Sequence, residues 1–139
     1  MNITDVPEGT VPDRDLLGVI LDQQKSLMAK YEKIERDNNI PNPKLFNLNI
    51  NDYLDQAKIK DLMWRVVEEL GEAGNCLKNK PWKQTQMLTD VDHFHEELSD
   101  ALHFLLELLI GVGIDTKEKV YQLYFRKAKV NEFRQESQY

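Results

Sequence analysis

Residues 59–73, IKDLMWRVVEELGEA, and residues 94–110, FHEELSDALHFLLELLI, decide how this chain folds. In the first stretch Ile59, Leu62, Met63, Val66, Val67, Leu70 and Ala73 recur at steps of three and four. That is the repeat of an α-helix with one apolar face. In the second, Phe94, Leu98, Ala101, Leu102, Leu105, Leu108 and Leu109 follow the same repeat, and Phe104, Leu106 and Ile110 fill the other sides. The latter half of this helix therefore reads as buried nearly all round. Neither stretch shows the two-residue alternation of a strand.

Upstream, Leu16, Leu17, Ile20, Leu21, Leu27, Met28 and Tyr31 mark another helix, starting from Asp13 and ending near Arg36. Asp37-Asn38-Asn39 and Pro41-Asn42-Pro43 break it. Leu45, Phe46, Leu48 and Ile50 fit a packed loop or a short extended piece. The helix carrying residues 59–73 begins around Asp52 to Gln56, adds Leu77 to its inner face, and is closed by Pro81. Thr89 or Asp90 caps the next helix, and Gly111 and Gly113 stop it. Asp115 with Glu118 resembles a capping box for a last helix reaching about Glu136. Four helices without strands predict an all-α, bundle-like domain over residues 13–139, preceded by a tail over residues 1–12. The apolar third helix asks for more cover than four helices give, which predicts a homo-oligomer, a dimer or a tetramer.

The 139 residues are 41% hydrophobic and 30% charged, with a net charge of −6. That charge speaks against a nucleic-acid surface. No apolar run approaches the ~18 residues of a membrane span, so no membrane partner is expected. Met1 to Thr10 lacks the basic and apolar regions of a signal peptide. Cys76 is the one cysteine, so no intrachain disulfide can form, and a reducing, cytoplasmic setting is expected.

The chemistry lies in two acidic clusters, Glu68-Glu69-Leu70-Gly71-Glu72 and Glu96-Glu97-Leu98-Ser99-Asp100. Glu69 with Glu72, and Glu97 with Asp100, are pairs three residues apart, so each pair shares a helix face. These acids continue the apolar stripes: Glu69 lies between Val66 and Ala73, and Glu97 and Asp100 precede Ala101 and Phe104. Glu68 and Glu96 read as solvated. One such pair is usually a solvated face too, but two matched pairs on apolar stripes are not expected by chance. Like charges brought together this way require a compensating cation. An all-oxygen donor set favours a hard ion, Mg²⁺ or Mn²⁺.

The segment 124–139 is the most basic part of the chain. Lys127, Asn131 and Arg134 fall on one face at steps of four and three. They suit phosphate oxygens, or equally the ordinary cationic end of a helix. Trp64, one turn ahead of the first acidic cluster, reads as core, and His93 and His95 as solvated.

Together these features resemble the all-α NTP pyrophosphatases, which include the dimeric dUTPases and MazG-like enzymes. The metal motif of that group, E-E-x-x-E followed at a distance by E-x-x-D, is matched by Glu68-Glu69-x-x-Glu72 and Glu97-x-x-Asp100. Features of the dimeric dUTPases are matched by Trp82 after the first acidic helix and by His103 three residues past Asp100. Their closing motif is matched by Tyr124, Lys127, Asn131, Phe133, Arg134, Gln135 and Tyr139, with Gln138 where those enzymes have Gly.

The resemblance implies that Glu69, Glu72, Glu97 and Asp100 hold Mg²⁺ ions that bridge a triphosphate. A metal-activated water would then attack the α-phosphorus, with Glu69 as general base. Lys127, Asn131, Arg134 and Tyr139 would meet phosphates. Gln24, Trp82 and His103 would line the nucleoside pocket. The implied reaction is dUTP and water to dUMP and diphosphate. Only Gly111 to Lys119 stands where dimeric dUTPases insert a second helical domain, so a MazG-like enzyme acting on another (d)NTP such as dGTP is the alternative. A non-catalytic helical interaction module is the alternative of another class. A ferritin-like centre would need two Glu-x-x-His pairs, and only Asp100-x-x-His103 comes near that pattern.

Overall fold

The computed structural model describes residues 14–137. Four helices follow one another: α1 (Leu16–Asp37), α2 (Tyr53–Asn75), α3 (Val91–Gly111) and α4 (Lys117–Glu136). Each starts on a side chain that accepts a free backbone N–H of its first turn: Asp15 from Gly18, Asp52 from Asp55, Asp90 from His93 and Thr116 from Lys119. Three boundaries differ from the sequence reading, the first being that α2 ends at Asn75, before Leu77 and the Pro81 expected to close it. α1 opens at Leu16 because Asp15 is its cap. α4 is capped by Thr116, whereas Asp115 pairs with Lys119 at 3.0 Å.

α2 packs along α3, and α1 covers α3 from one side. Glu69 meets Glu97 and Asp100 while Arg65 meets Phe104, so α2 and α3 run antiparallel. The innermost residues are Leu21 and Met28 of α1, Leu45 of the following loop, and Leu106 and Ile110 of α3, with Leu17, Phe46 and Val120 against them. α4 packs against α1 alone among the helices. Val120 and the Lys117–Asp15 ion pair (2.6 Å) anchor its first turns.

The loop between α1 and α2 is held by one buried carboxylate. Asp55 accepts from Asn49 N at 2.8 Å, Lys44 Nζ at 3.1 Å and Asn42 Nδ2 at 3.2 Å. The Asn49 bond, then the Lys44 bond, hold its carboxyl below the usual range. The loop then lies on the end of α3, with Leu48 N donating to Gly111 O at 2.8 Å. A Cβ on Gly111 would stand 3.0 Å from Leu45 O and 3.1 Å from a Leu48 methyl, so the close approach favours glycine there. Gly113 takes the left-handed conformation (φ 96°) in the turn towards α4.

The all-α expectation holds. The expected burial of α2 and α3 does not hold in full. On α2, Leu62 and Ala73 are buried, but Met63, Val67 and Leu70 are exposed, as is Leu77 beyond the helix end, and Trp64 lies outside the core. On α3, Leu106 and Ile110 are buried, but Leu98, Leu102 (52% exposed) and Leu105 are not. The reason is sparse cover: among the helices α2 packs on α3 alone, α1 adds cover to α3, and α4 packs only on α1.

Met28 is fully enclosed, so Met28→Ala leaves a cavity between α1 and α3. We expect urea denaturation to show a loss of about 2–5 kcal/mol.

Candidate active site

Glu69 stands in the C-terminal half of α2, and Glu97 and Asp100 stand one turn apart near the start of α3. The antiparallel packing brings them together. One carboxylate oxygen from each of the three lies within 4.8 Å of the others. Oε2 of Glu69 and Oε2 of Glu97 are buried and have no hydrogen-bond partner. Glu72 stands outside this triangle but against Glu97, which pushes its carboxyl up. The four predicted acids thus fall at one place, three in a tight group and the fourth at its side.

The electrostatics follow from crowding. Burial, then the neighbouring Glu97, Glu72 and Asp100, push Glu69 up to about 7. Asp100 is raised by burial and by Glu97 and Glu96. Glu97 goes the other way: the adjoining Glu72 and Glu69 carboxyls, and then His93, lower its carboxyl. His93 Nε2 sits 3.0 Å from Glu97 Oε1, one turn away on the same helix. Sequence reasoning left His93 solvated. The four-residue step from His93 to Glu97 was the signal that could have found the pair.

This donor set fits a divalent cation. The ligand atoms are carboxylate oxygens, two of the buried ones are unsatisfied, and the local charge is strongly negative. Such a group would suit Mg²⁺ or another hard ion.

The sequence profile of the dUTPase family matches residues 17–119. The chain belongs to the dUTPase family. As a family member it is a hydrolase of the nucleotide pyrophosphatase type. The matched span holds all four acids of this dUTPase-family site, and also Gln24, Trp82 and His103. It ends before Lys127, Asn131, Arg134 and Tyr139. Searches among curated proteins and among solved structures found no match. Among the described residues no helix is long and apolar enough to cross a membrane.

The other expected site residues are placed less compactly. Gln24 is buried in α1 between Leu21 and Met28. Trp82 lies 75% exposed in the loop after α2, with Lys80 Nζ 5.4 Å from its ring centre. His103 is exposed on the turn after Asp100, and its Nδ1 donates to Ser99 O at 2.8 Å. Lys127, Asn131 and Arg134 are exposed on α4, whose backbone approaches neither α2 nor α3. Tyr139 lies outside the described residues.

Sequence reasoning also missed Glu107 of α3, which is buried. A charged residue between Leu105-Leu106 and Leu108-Leu109 was its signal.

The metal-free cluster opposes folding at neutral pH. An unfolded glutamate titrates near ~4.3. Because Glu69 is raised in the fold, the stability it allows is full below that value and lost as pH rises towards about 7. In chelator, Glu69→Gln should therefore melt several degrees above wild type at pH 8, with the gap closing by pH ~4 to 5. Calorimetry with added Mg²⁺ should raise the wild-type midpoint more than that of the variant.

Proposed function

We propose that this chain hydrolyses a nucleoside triphosphate between its α- and β-phosphates, with dUTP to dUMP and diphosphate as the leading reaction. The observation that carries the reading is the convergence of Glu69, Glu97 and Asp100 within 4.8 Å, with buried oxygens left unpartnered, in a member of the dUTPase family. Glu69, Glu97 and Asp100, with Glu72 beside them, would hold Mg²⁺, with Mn²⁺ as a substitute. When bound, such an ion supplies the positive charge that lets a triphosphate approach carboxylates and makes water a better nucleophile. Glu97, lowered by its neighbours and steadied by His93, is the anchoring anion. Glu69 is the choice for the base that takes the proton of the attacking water, since its carboxyl is the one pushed up to about 7. His103, with Nδ1 engaged by Ser99 O, would have Nε2 left to meet a nucleotide.

In this reading Lys127, Asn131 and Arg134 bind phosphate from a second copy of the chain, because α4 packs only on the α1 of its own chain. Two exposed apolar stripes support a homo-oligomer: Met63, Val67 and Leu70 on α2, and Leu98, Leu102 and Leu105 on α3. The acidic cluster and the basic α4 face complement each other in charge.

A panel of dNTPs with Mg²⁺ should yield pyrophosphate rather than orthophosphate, fastest from dUTP. Preference for dGTP would replace the substrate but keep the chemistry, and release of orthophosphate alone would overturn both. Glu97→Gln and Asp100→Asn should each lower turnover by about two orders of magnitude or more while far-UV circular dichroism stays unchanged.

Leu102→Glu should break the oligomer. Light scattering should then give the 16.3 kDa of one chain, and wild type at 16.3 kDa would reject the assembly.

A further inference from the structure

His93 stands between solvent and the acidic cluster. It belongs to the first turn of α3, where its backbone N–H donates to the capping Asp90 side chain at 3.1 Å. Phe94 N closes the same turn on Asp90 O at 3.0 Å. The cap therefore fixes the root of the His93 side chain. Four residues on, at the step that stacks side chains on one helix face, lies Glu97. His93 Nε2 sits 3.0 Å from Glu97 Oε1. An ionised carboxylate only accepts, so Nε2 carries the hydrogen and donates.

The two oxygens of Glu97 are thereby put to different uses. Oε1 accepts from His93, whereas Oε2 is buried and unpartnered. Glu69 Oε2 is buried and unpartnered as well, and one oxygen from each of Glu69, Glu97 and Asp100 lies within 4.8 Å of the others. Repulsion among like charges favours turning a carboxylate outwards. Glutamate has three side-chain torsions with which to turn. The hydrogen bond from His93 opposes that motion. The His93 side chain is 56% exposed and that of Glu97 12%, so the imidazole lies on the outer side of the acid. His93 is not one of the groups that converge, and it leaves the space between them open.

We propose that His93 is a positioning residue for the divalent cation, holding Glu97 Oε1 so that Oε2 stays available to the ion. The proposal rests on the metal-dependent reading given above, and it gives His93 no contact with metal or nucleotide. A mere charge effect has the opposite sign. A cationic neighbour competes with a bound metal, so its removal tightens metal binding. Loss of a hydrogen bond that holds a ligand loosens it.

The test is titration calorimetry of the nucleotide-free protein with Mn²⁺, comparing wild type, His93→Leu, His93→Gln and His95→Leu. Leucine removes the donor, and glutamine returns an N–H at a similar reach. His93→Leu should weaken Mn²⁺ binding about tenfold or more, and His93→Gln should restore most of the loss. The Mg²⁺ concentration for half-maximal turnover should rise by the same factor in His93→Leu, with kcat at saturating Mg²⁺ close to wild type. His95→Leu removes a ring from the same stretch of α3 and should keep wild-type affinity. Wild-type or tighter Mn²⁺ binding in His93→Leu would overturn the proposal and leave the hydrolase reading intact. So would an equal loss in His93→Gln or in His95→Leu. A wild type that binds Mn²⁺ but hydrolyses no nucleotide would end the hydrolase reading and leave the role of His93 standing. A wild type that binds no Mn²⁺ would defeat both.

Discussion

Repulsion between carboxylates is the constraint around which the α2–α3 pair is built. Glu69, Glu97 and Asp100 are pressed within 4.8 Å of each other, and two of their oxygens are buried without a partner. A bundle selected for stability alone would place leucine or alanine at these positions, as it does at Leu62, Ala73 and Ala101 nearby. The crowding raises Glu69, Glu72 and Asp100 and is tolerated because the core lies elsewhere. That core, made by Leu21, Met28, Leu45, Leu106 and Ile110, gathers towards the far half of α3. The fold thus separates the half of α3 that stabilises from the half that carries charge.

The same separation shapes the surfaces around the site. α1 covers one side of the helix pair and reaches the core, while the opposite side keeps Val67, Leu70 and Leu102 in solvent. α4 contributes little to the core of its own chain, since Val120 is its main apolar contact and none of its residues is buried. On this helix, which also carries a basic face, Tyr124 and Phe133 stay exposed. The buried Asp55 serves a different end. Its ion pair and hydrogen bonds are satisfied within the loop, and its carboxyl is lowered. In this protein the satisfied acid fixes backbone and the unsatisfied acids mark the site.

Much of this was legible in the sequence where one helix periodicity suffices to read it. The convergence of Glu69, Glu97 and Asp100 was legible because residues three apart must share a face, and their apolar neighbours told which face. Helix ends at Asp90 and Gly111 followed from capping chemistry, although Thr116 displaced Asp115 as the cap of α4. What periodicity does not give is which of several apolar faces finds a partner. Met63, Val67 and Trp64 read as inner residues, yet α2 has one partner helix and a single covered side. The partner of α4 was equally hidden, because basic and aromatic residues on a helix do not say what they meet. Gln24 was singled out as a break in an apolar stripe, and the structure places it inside the core beside Leu21 and Met28.

A cavity beside the acids was invisible for a further reason: its lining is assembled from three helices, and no local pattern joins Tyr31, Arg65 and Glu107. Once those helices are in place, the two sets of buried acids differ in kind. At Glu69 the neighbouring charges are all carboxylates, and His93 meets only the Glu97 edge of the cluster, so a multiply charged cation suits it. Glu107 faces Arg65 and Lys58 as well as Glu35 and Asp61, so nearby charges offset one another and burial is the main cause that raises its carboxyl.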